Sequence, residues 1–245
     1  MRFSTLLRNG AVAGAVAGLI AAVVQWLHTE PVIRRALAIE EARDHAAGHH
    51  EVELVSRTAQ VFWGAFAAAV AGVLFGLVFA VVFARTRERL PGLTDHSRAL
   101  WLAAFGFFAF ALMPALAIPA NPPSVGDHDT VTQRTLIYVL SILVGLLVIG
   151  AVSGIDRLLR ARDVDLPLRL SAVVVATAVL VPLALWALPA SPDRIPADVP
   201  AGLIWDFRTA SLAQLATMWV VMGLVFGLLT VRRTSAVREA ATASR

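Results

Sequence analysis

Histidines and carboxylates in the first hydrophilic segment of this chain have residue types and spacing that suit metal binding. Glu41, His45 and His49 recur every four residues, which would align them on one face of a helix. His28 and Glu30 lie at the start of the same segment. Imidazole combined with carboxylate favours borderline divalent ions such as Co²⁺, Ni²⁺ and Zn²⁺. The alternative is a solvated polar face interrupted by a glycine, and spacing alone favours that alternative.

A second group of candidate ligands is Asp127, His128 and Asp129, in a proline-rich segment. If the hydrophilic segments meet at one membrane face, these residues and those of the first segment could capture a metal ion together. The sequence leaves open whether they converge. Metal affinity of such histidines should fall below about pH 6.5, because a ligating imidazole must be neutral.

Three arginines, each followed by threonine, recur at nearly equal intervals along the chain: Arg57, Arg134 and Arg208. Each has acidic residues shortly before it, namely Glu53, Asp127 with Asp129, and Asp206. The favoured interpretation is structural, with each arginine pairing with a carboxylate where its helix begins. The alternative places the arginines around an entrance, where they orient carboxylates that bind the metal.

Several classes of function are excluded by residues that the chain lacks. It has no cysteine, and all 21 basic residues are arginine, so thiolate metal sites, cysteine nucleophiles and a Walker lysine are absent. Neither His-Glu-x-x-His nor Gly-x-Ser-x-Gly occurs. We therefore predict that the chain is not an enzyme and binds no permanent cofactor, with Co²⁺, Ni²⁺ or Zn²⁺ as candidate substrates.

The groups described above must be positioned by membrane helices. Hydrophobic residues make up 58% of the chain and mean hydropathy is +0.73, which is typical of an integral membrane protein. Six apolar spans without charged residues are predicted: residues 9–27, 61–84, 99–118, 135–154, 170–188 and 210–231. We predict an all-α fold of three tandem helical hairpins in one domain covering residues 1–245, with an outer amphipathic helix over residues 32–55.

The distribution of arginine predicts the orientation of these spans. Fourteen of the 21 arginines fall on the side that holds both termini, so both termini are expected to be cytoplasmic. The net charge of +4 is spread over loops and does not indicate nucleic-acid binding. The first span is too long for the apolar part of a signal peptide, which is about 7–15 residues, and it is kept as a span.

Prolines and glycines inside the spans predict kinks and close packing. Pro114 and Pro182 each remove a helical hydrogen bond, leaving the carbonyls of Phe110 and Ala178 to find another donor or to line a wet path. A simple packing kink is the commoner outcome. Glycine pairs four residues apart predict close helix contacts in the three even-numbered spans: Gly72 and Gly76, Gly150 and Gly154, Gly223 and Gly227.

The chain resembles the CbtA family of probable cobalt transporter subunits. The resemblance is carried by residues 18–22 with Glu30-Pro31, by Phe110-Ala-Leu-Met-Pro-Ala-Leu, by the proline-rich stretch 119–126 before Arg134, and by Phe207-Arg-Thr-Ala-Ser-Leu. It differs in its six spans, where five are usual, and in the histidines of its own outer loop.

The resemblance implies a subunit of a cobalt uptake system that supplies cobalamin synthesis, in the cell membrane as a multi-pass protein. It also implies a small single-span, histidine-bearing partner of the CbtB type, and a homo-oligomer is a further expectation. The alternative function is a membrane scaffold that does not itself transport.

Overall fold

The chain is all helical in the computed structural model, which describes residues 2–47, 55–123, 125 and 128–243, with backbone alone for 44, 46, 47, 128 and 232–243. No strand occurs among these residues. Six helical stretches in the described chain are long and apolar enough to cross a membrane: Phe3–Arg43, Arg57–Thr86, Asp95–Ala117, Val131–Ala161, Leu166–Ala187 and Ala201–Val231. Each overlaps one predicted span, so the prediction of six membrane helices is confirmed. The hairpin order and the cytoplasmic termini stay predictions.

The helices group into two compact units. Unit 1 comprises residues 1–107 and 201–245, and unit 2 comprises residues 108–200. Unit 1 contains α1 (Phe3–Val24), α2 (Glu30–Ala47), α3 (Arg57–Thr86), α4 (Asp95–Phe107) and α8 (Ala201–Ala243). Unit 2 contains α5 (Met113–Ala117), α6 (Val131–Ala161) and α7 (Leu166–Ala187). The prediction of a single domain stays a prediction.

Small residues bring α1 and α3 of unit 1 into backbone contact. A Cβ atom added at Gly14 would overlap the backbone of Gly72, and one added at Gly10 would overlap the backbone of Gly76. Residue numbers rise along α1 as they fall along α3, so the two helices run antiparallel. With no side chain between them, the backbones approach closely enough for extensive dispersion contact, which is the main attraction between helices in lipid.

The long helix α8 completes unit 1 by packing against α1 and α4. Gly223 lies against Ala103, and the indole of Trp219 occupies the space beside Gly106. Further along, the ring of Phe226 meets those of Phe79 and Phe83 edge to face, with centroids 5.1 and 5.0 Å away. A second predicted glycine, Gly227, lies directly against His96 of α4. The predicted close packing is thus seen at the glycines of α3 and α8.

Helix α2 differs from the amphipathic surface helix predicted over residues 32–55. It continues from α1 through a π-helical segment, Gln25–Thr29, without a break. Its apolar residues Val32 and Ala36 are buried, and α2 packs against α8. The apolar face of this segment therefore lies against protein, and residues 48–54 are outside the described residues.

Unit 2 is more open than unit 1. Gly145 of α6 lies against Met113, but a Cβ added at Gly150 or Gly154 would meet no atom within 4 Å. Helix α7 packs against α6 and has no buried residue along its length. The predicted close contact at Gly150 and Gly154 is therefore not formed within the described chain, because no helix covers that face of α6.

Pro114 follows a second π-helical segment, Phe108–Leu112. The Phe110 carbonyl in this segment has the alternative hydrogen-bond donor that the sequence predicts. The hydroxyl of Tyr138 on α6 donates to the Phe110 carbonyl at 3.3 Å. That carbonyl is the one whose α-helical donor Pro114 removes. Pro182 lies inside α7, and no side chain of the described residues donates to the carbonyl of Ala178. The two prolines therefore have different local structures.

Candidate functional site

Unit 1 contains a buried carboxylate that is bound by two arginines, at the end of the unit that is predicted to face outward. The side chain of Glu30 is 5% exposed at the start of α2, just after the π-helical segment. One oxygen accepts from the Nε atoms of Arg57 and Arg34 at 3.0 Å each, and the other accepts from Arg57 Nη2 at 2.5 Å. Ser56 caps α3 by accepting from the Ala59 N–H at 3.4 Å, which places Arg57 in the first turn.

This arrangement determines the charge state and the availability of Glu30. Two guanidinium groups, both permanently protonated, face one carboxylate, so the carboxylate is ionised and the cluster keeps a net positive charge. Arg57 binds through two nitrogens, the geometry that gives the strongest carboxylate pairing. Both oxygens of Glu30 are thereby engaged, and Glu30 would have to give up an arginine before it could bind a metal ion.

A row of uncharged polar side chains joins the cluster within the helix bundle of unit 1. Gln214 of α8 donates from Nε2 to Gln25 Oε1 at 3.1 Å, and its own Oε1 accepts from the Thr29 hydroxyl at 3.3 Å. Thr29 is buried and is followed by Glu30. In an apolar bundle an amide without a partner costs free energy, so the two glutamines and the threonine satisfy one another. The π-helical segment positions Gln25 and Thr29 on this row, and such segments often occur at functional sites.

A second ion pair holds α2 to α8. Arg35 Nη2 lies 2.8 Å from Asp206 Oδ2. Both side chains are about half exposed, 56% and 46%, so the pair contributes little to stability, on the order of 0–1 kcal/mol. Its role is positional, since it fixes the first turns of α2 beside α8.

Unit 2 also has a buried carboxylate bound by an arginine, Asp193, in the segment between α7 and α8. Its side chain is 5% exposed. Oδ2 accepts from Asn121 Nδ2 at 3.0 Å and lies 3.4 Å from Arg134 Nε, while Oδ1 accepts from the Thr130 hydroxyl at 3.3 Å. One carboxylate therefore connects the start of α6, the segment before it and the segment after α7.

Comparison with known proteins supplies the family. A family model described as CbtA, probable cobalt transporter subunit, matches residues 3–231. The chain belongs to the CbtA family. No curated protein and no solved structure matches it. The family consists of probable cobalt transporter subunits, which are not a known enzyme class, and a subunit implies a partner. Together with the six membrane-length helices it indicates a multi-pass membrane protein.

In this CbtA family member, the predicted ligands have differing accessibility. His28, His45 and Asp129 are exposed, whereas Glu30 is buried between arginines. The predicted ligands His49 and Asp127 lie outside the described residues, and of His128 only the backbone is described. Within the described ranges no group of three or more histidines and carboxylates is close enough to hold a metal ion. The capture site therefore stays a prediction.

Two of the recurring arginines, Arg57 and Arg134, pair with carboxylates far from them in the sequence. Arg57 binds Glu30, and Arg134 binds Asp193, which the sequence analysis did not select. Asp206, the predicted partner of Arg208, lies 2.8 Å from Arg35. Arg208 itself also takes part in interactions. These contacts agree with the structural interpretation of Arg57 and Arg134.

The polar row was also missed by the sequence analysis, although a signal for it was present. Gln25 lies inside the first predicted span and Gln214 inside the sixth, where the only other amide side chain is that of Asn9. Amides within membrane spans usually face a protein partner, so the two glutamines could have been paired from composition alone.

Proposed function

We propose that this CbtA family member carries Co²⁺ across the cell membrane as the membrane subunit of an uptake system. Besides the family, the observation that supports this function is the row of Gln25, Gln214 and Thr29 between helices of unit 1. Its amide and hydroxyl oxygens can replace water around a divalent ion, and Gln25 and Thr29 lie on the π-helical segment. Ni²⁺ and Zn²⁺ are alternative substrates because they accept the same ligands.

The arginine cluster constrains how the ion would arrive. The net positive charge around Glu30 repels a divalent cation. The ligands that first bind the ion must therefore be exposed to solvent and lie away from this cluster. The exposed imidazoles of His28 and His45 meet that need. We further propose that His49, Asp127, His128 and Asp129 take part in capture. In this scheme Arg57, Arg134 and Arg208 shape the entrance by holding its helices, and Glu30 holds α2 in place.

Partner dependence follows from the family description as a subunit. A small single-span protein with histidines at the same membrane face, of the CbtB type, would supply further imidazole ligands. We propose such a partner because Co²⁺ accepts imidazole readily and the described residues contain no complete ligand set of their own.

The decisive experiment is Co²⁺ uptake by proteoliposomes, with and without the partner. Gln214→Leu should abolish most uptake, because it removes both hydrogen bonds of the row. Thr217→Val is the matched control on the same helix, since the Thr217 hydroxyl donates to the Ala213 carbonyl of its own helix at 2.8 Å. Both variants must retain the wild-type unfolding midpoint. Absence of uptake by the wild type under both conditions would sink the proposal and favour the scaffold alternative.

A further inference from the structure

The turn between α3 and α4 forms a recess with an excess of positive charge. Arg85, Arg87 and Arg89 line a cavity of about 450 Å³ together with Glu88 and Ala84. Three guanidinium groups face a single carboxylate. A cleft lined mainly by one sign of charge attracts the opposite sign, so this recess favours an anion.

The hydrogen-bonding capacity of these arginines is largely unused. The buried Nε of Arg87 has no hydrogen-bond partner, and the nearest carboxylate oxygen, of Asp95, is 4.0 Å away. Within the part of the chain that the structure describes, Arg85 and Arg89 have no hydrogen-bond or ion-pair partner. A buried N–H without an acceptor is unfavourable, so an acceptor with several oxygens would be stabilised here.

The turn itself is held in one conformation, so the recess does not depend on a flexible loop. Thr94 and Ser97 cap α4 reciprocally, each backbone N–H donating to the other side-chain oxygen at 3.1 Å. Arg98 Nε donates to the Gly92 carbonyl at 3.3 Å. Gly92 has φ of +111°, a conformation that favours glycine.

The same turn presents a fully exposed apolar side chain. Leu93 is 99% exposed, two residues before α4 begins. The apolar part of α3 ends at Ala84, so the turn lies at a membrane boundary. A leucine beside arginines at that depth is stable when it inserts among acyl chains while the arginines reach the phosphate layer.

We propose that this recess binds the phosphate group of an anionic phospholipid. The guanidinium groups of Arg85, Arg87 and Arg89 donate to the phosphate oxygens, and Leu93 lies among the acyl chains. A free phosphate ion presents the same oxygens without the acyl chains, so the role of Leu93 separates the two sources.

The test uses the whole protein in nanodiscs of phosphatidylcholine with and without phosphatidylglycerol, followed by native mass spectrometry of the lipids retained. The double variant Arg85→Gln/Arg89→Gln should lose phosphatidylglycerol retention about 30-fold, or about 5-fold per arginine. The control Arg157→Gln/Arg162→Gln removes the same charge from the end of α6 and should retain it. Equal loss in both pairs would overturn the proposal, because it would show attraction by net charge alone.

A second arm separates lipid from free phosphate. Leu93→Asn should weaken phosphatidylglycerol retention several-fold and leave all arginines in place. Inorganic phosphate titrated into phosphatidylcholine nanodiscs should bind far more weakly than the lipid. If Leu93→Asn retains the lipid fully, or if inorganic phosphate displaces it at comparable concentration, the lipid proposal is wrong. Leu93→Asn also keeps the proposal testable should the arginine variant fail to fold.

Discussion

Replacing Tyr138 by phenylalanine should destabilise the protein only while Pro114 is present. The Tyr138 hydroxyl lies 3.3 Å from the Phe110 carbonyl oxygen, which has no helical N–H donor at position 114. Phenylalanine keeps the ring and removes that donor. Hydrogen bonds contribute about 0.5–1.5 kcal/mol in general and about 0.6 kcal/mol on average between membrane helices. The long distance favours the lower part of this range, and we expect a loss of about 0.5–1 kcal/mol.

The double variant turns this expectation into a measurement of coupling. Pro114→Ala restores an N–H four residues after Phe110, so the carbonyl no longer depends on the tyrosine. In that background Tyr138→Phe should cost less than about 0.3 kcal/mol. The difference between the two costs is the coupling free energy. It exceeds the usual additivity error of about 0.3–0.5 kcal/mol only if the cost beside Pro114 is near the upper end of its range. Replicate unfolding curves are therefore needed.

The assay is reversible unfolding in mixed micelles, followed by circular dichroism for all four proteins of the cycle. Thr135→Val is the control, because the Thr135 hydroxyl donates to the Val131 carbonyl of its own helix at 2.9 Å. Its cost should be equal in both backgrounds. Equal cost of Tyr138→Phe with and without Pro114 would refute the reasoning.

Three further predictions rest on contacts described above. Gly76→Ala should cost about 1–3 kcal/mol in micelle unfolding because the new Cβ meets the backbone of α1, whereas Gly154→Ala should be neutral or stabilising by up to about 1 kcal/mol. Glu30→Gln should cost about 1–3 kcal/mol by leaving two guanidinium groups without their anion; an unchanged midpoint would contradict that role. Asp193→Asn should destabilise more than Arg134→Gln, since the carboxylate has three partners and the arginine shares only one of those contacts.

The membrane helices could be predicted from sequence because each is an uncharged apolar stretch of bilayer length. Their packing could be predicted only in part. Glycines four residues apart permit close approach, but approach also requires a helix on the other side. Gly72 has α1 as that helix, while Gly150 has none within the described chain. The sequence signal is the same at both positions.

The arginine partners were hard to predict for a different reason. Carboxylates near each arginine in the sequence were the natural candidates. An arginine at the start of a helix can, however, pair with a carboxylate of any segment that the fold brings close to it. Glu30 is 27 residues from Arg57, and Asp193 lies beyond the whole of α7 from Arg134. Distances of this kind depend on tertiary packing, which the local pattern does not contain.

The two arginine clusters also change what a loss-of-transport variant at these positions would mean. Arg57 and Arg134 each bind a carboxylate that is 5% exposed. Removing Arg134 leaves a buried anion without its cation, and removing Arg57 leaves Glu30 with the mostly exposed Arg34 alone. Either change disturbs the fold whether or not a metal ion passes nearby. Lost uptake in such a variant is therefore no evidence for an arginine at the entrance. Gln25 and Gln214 carry no charge, and replacing them leaves no ion unpaired, so the polar row is the better place to test transport.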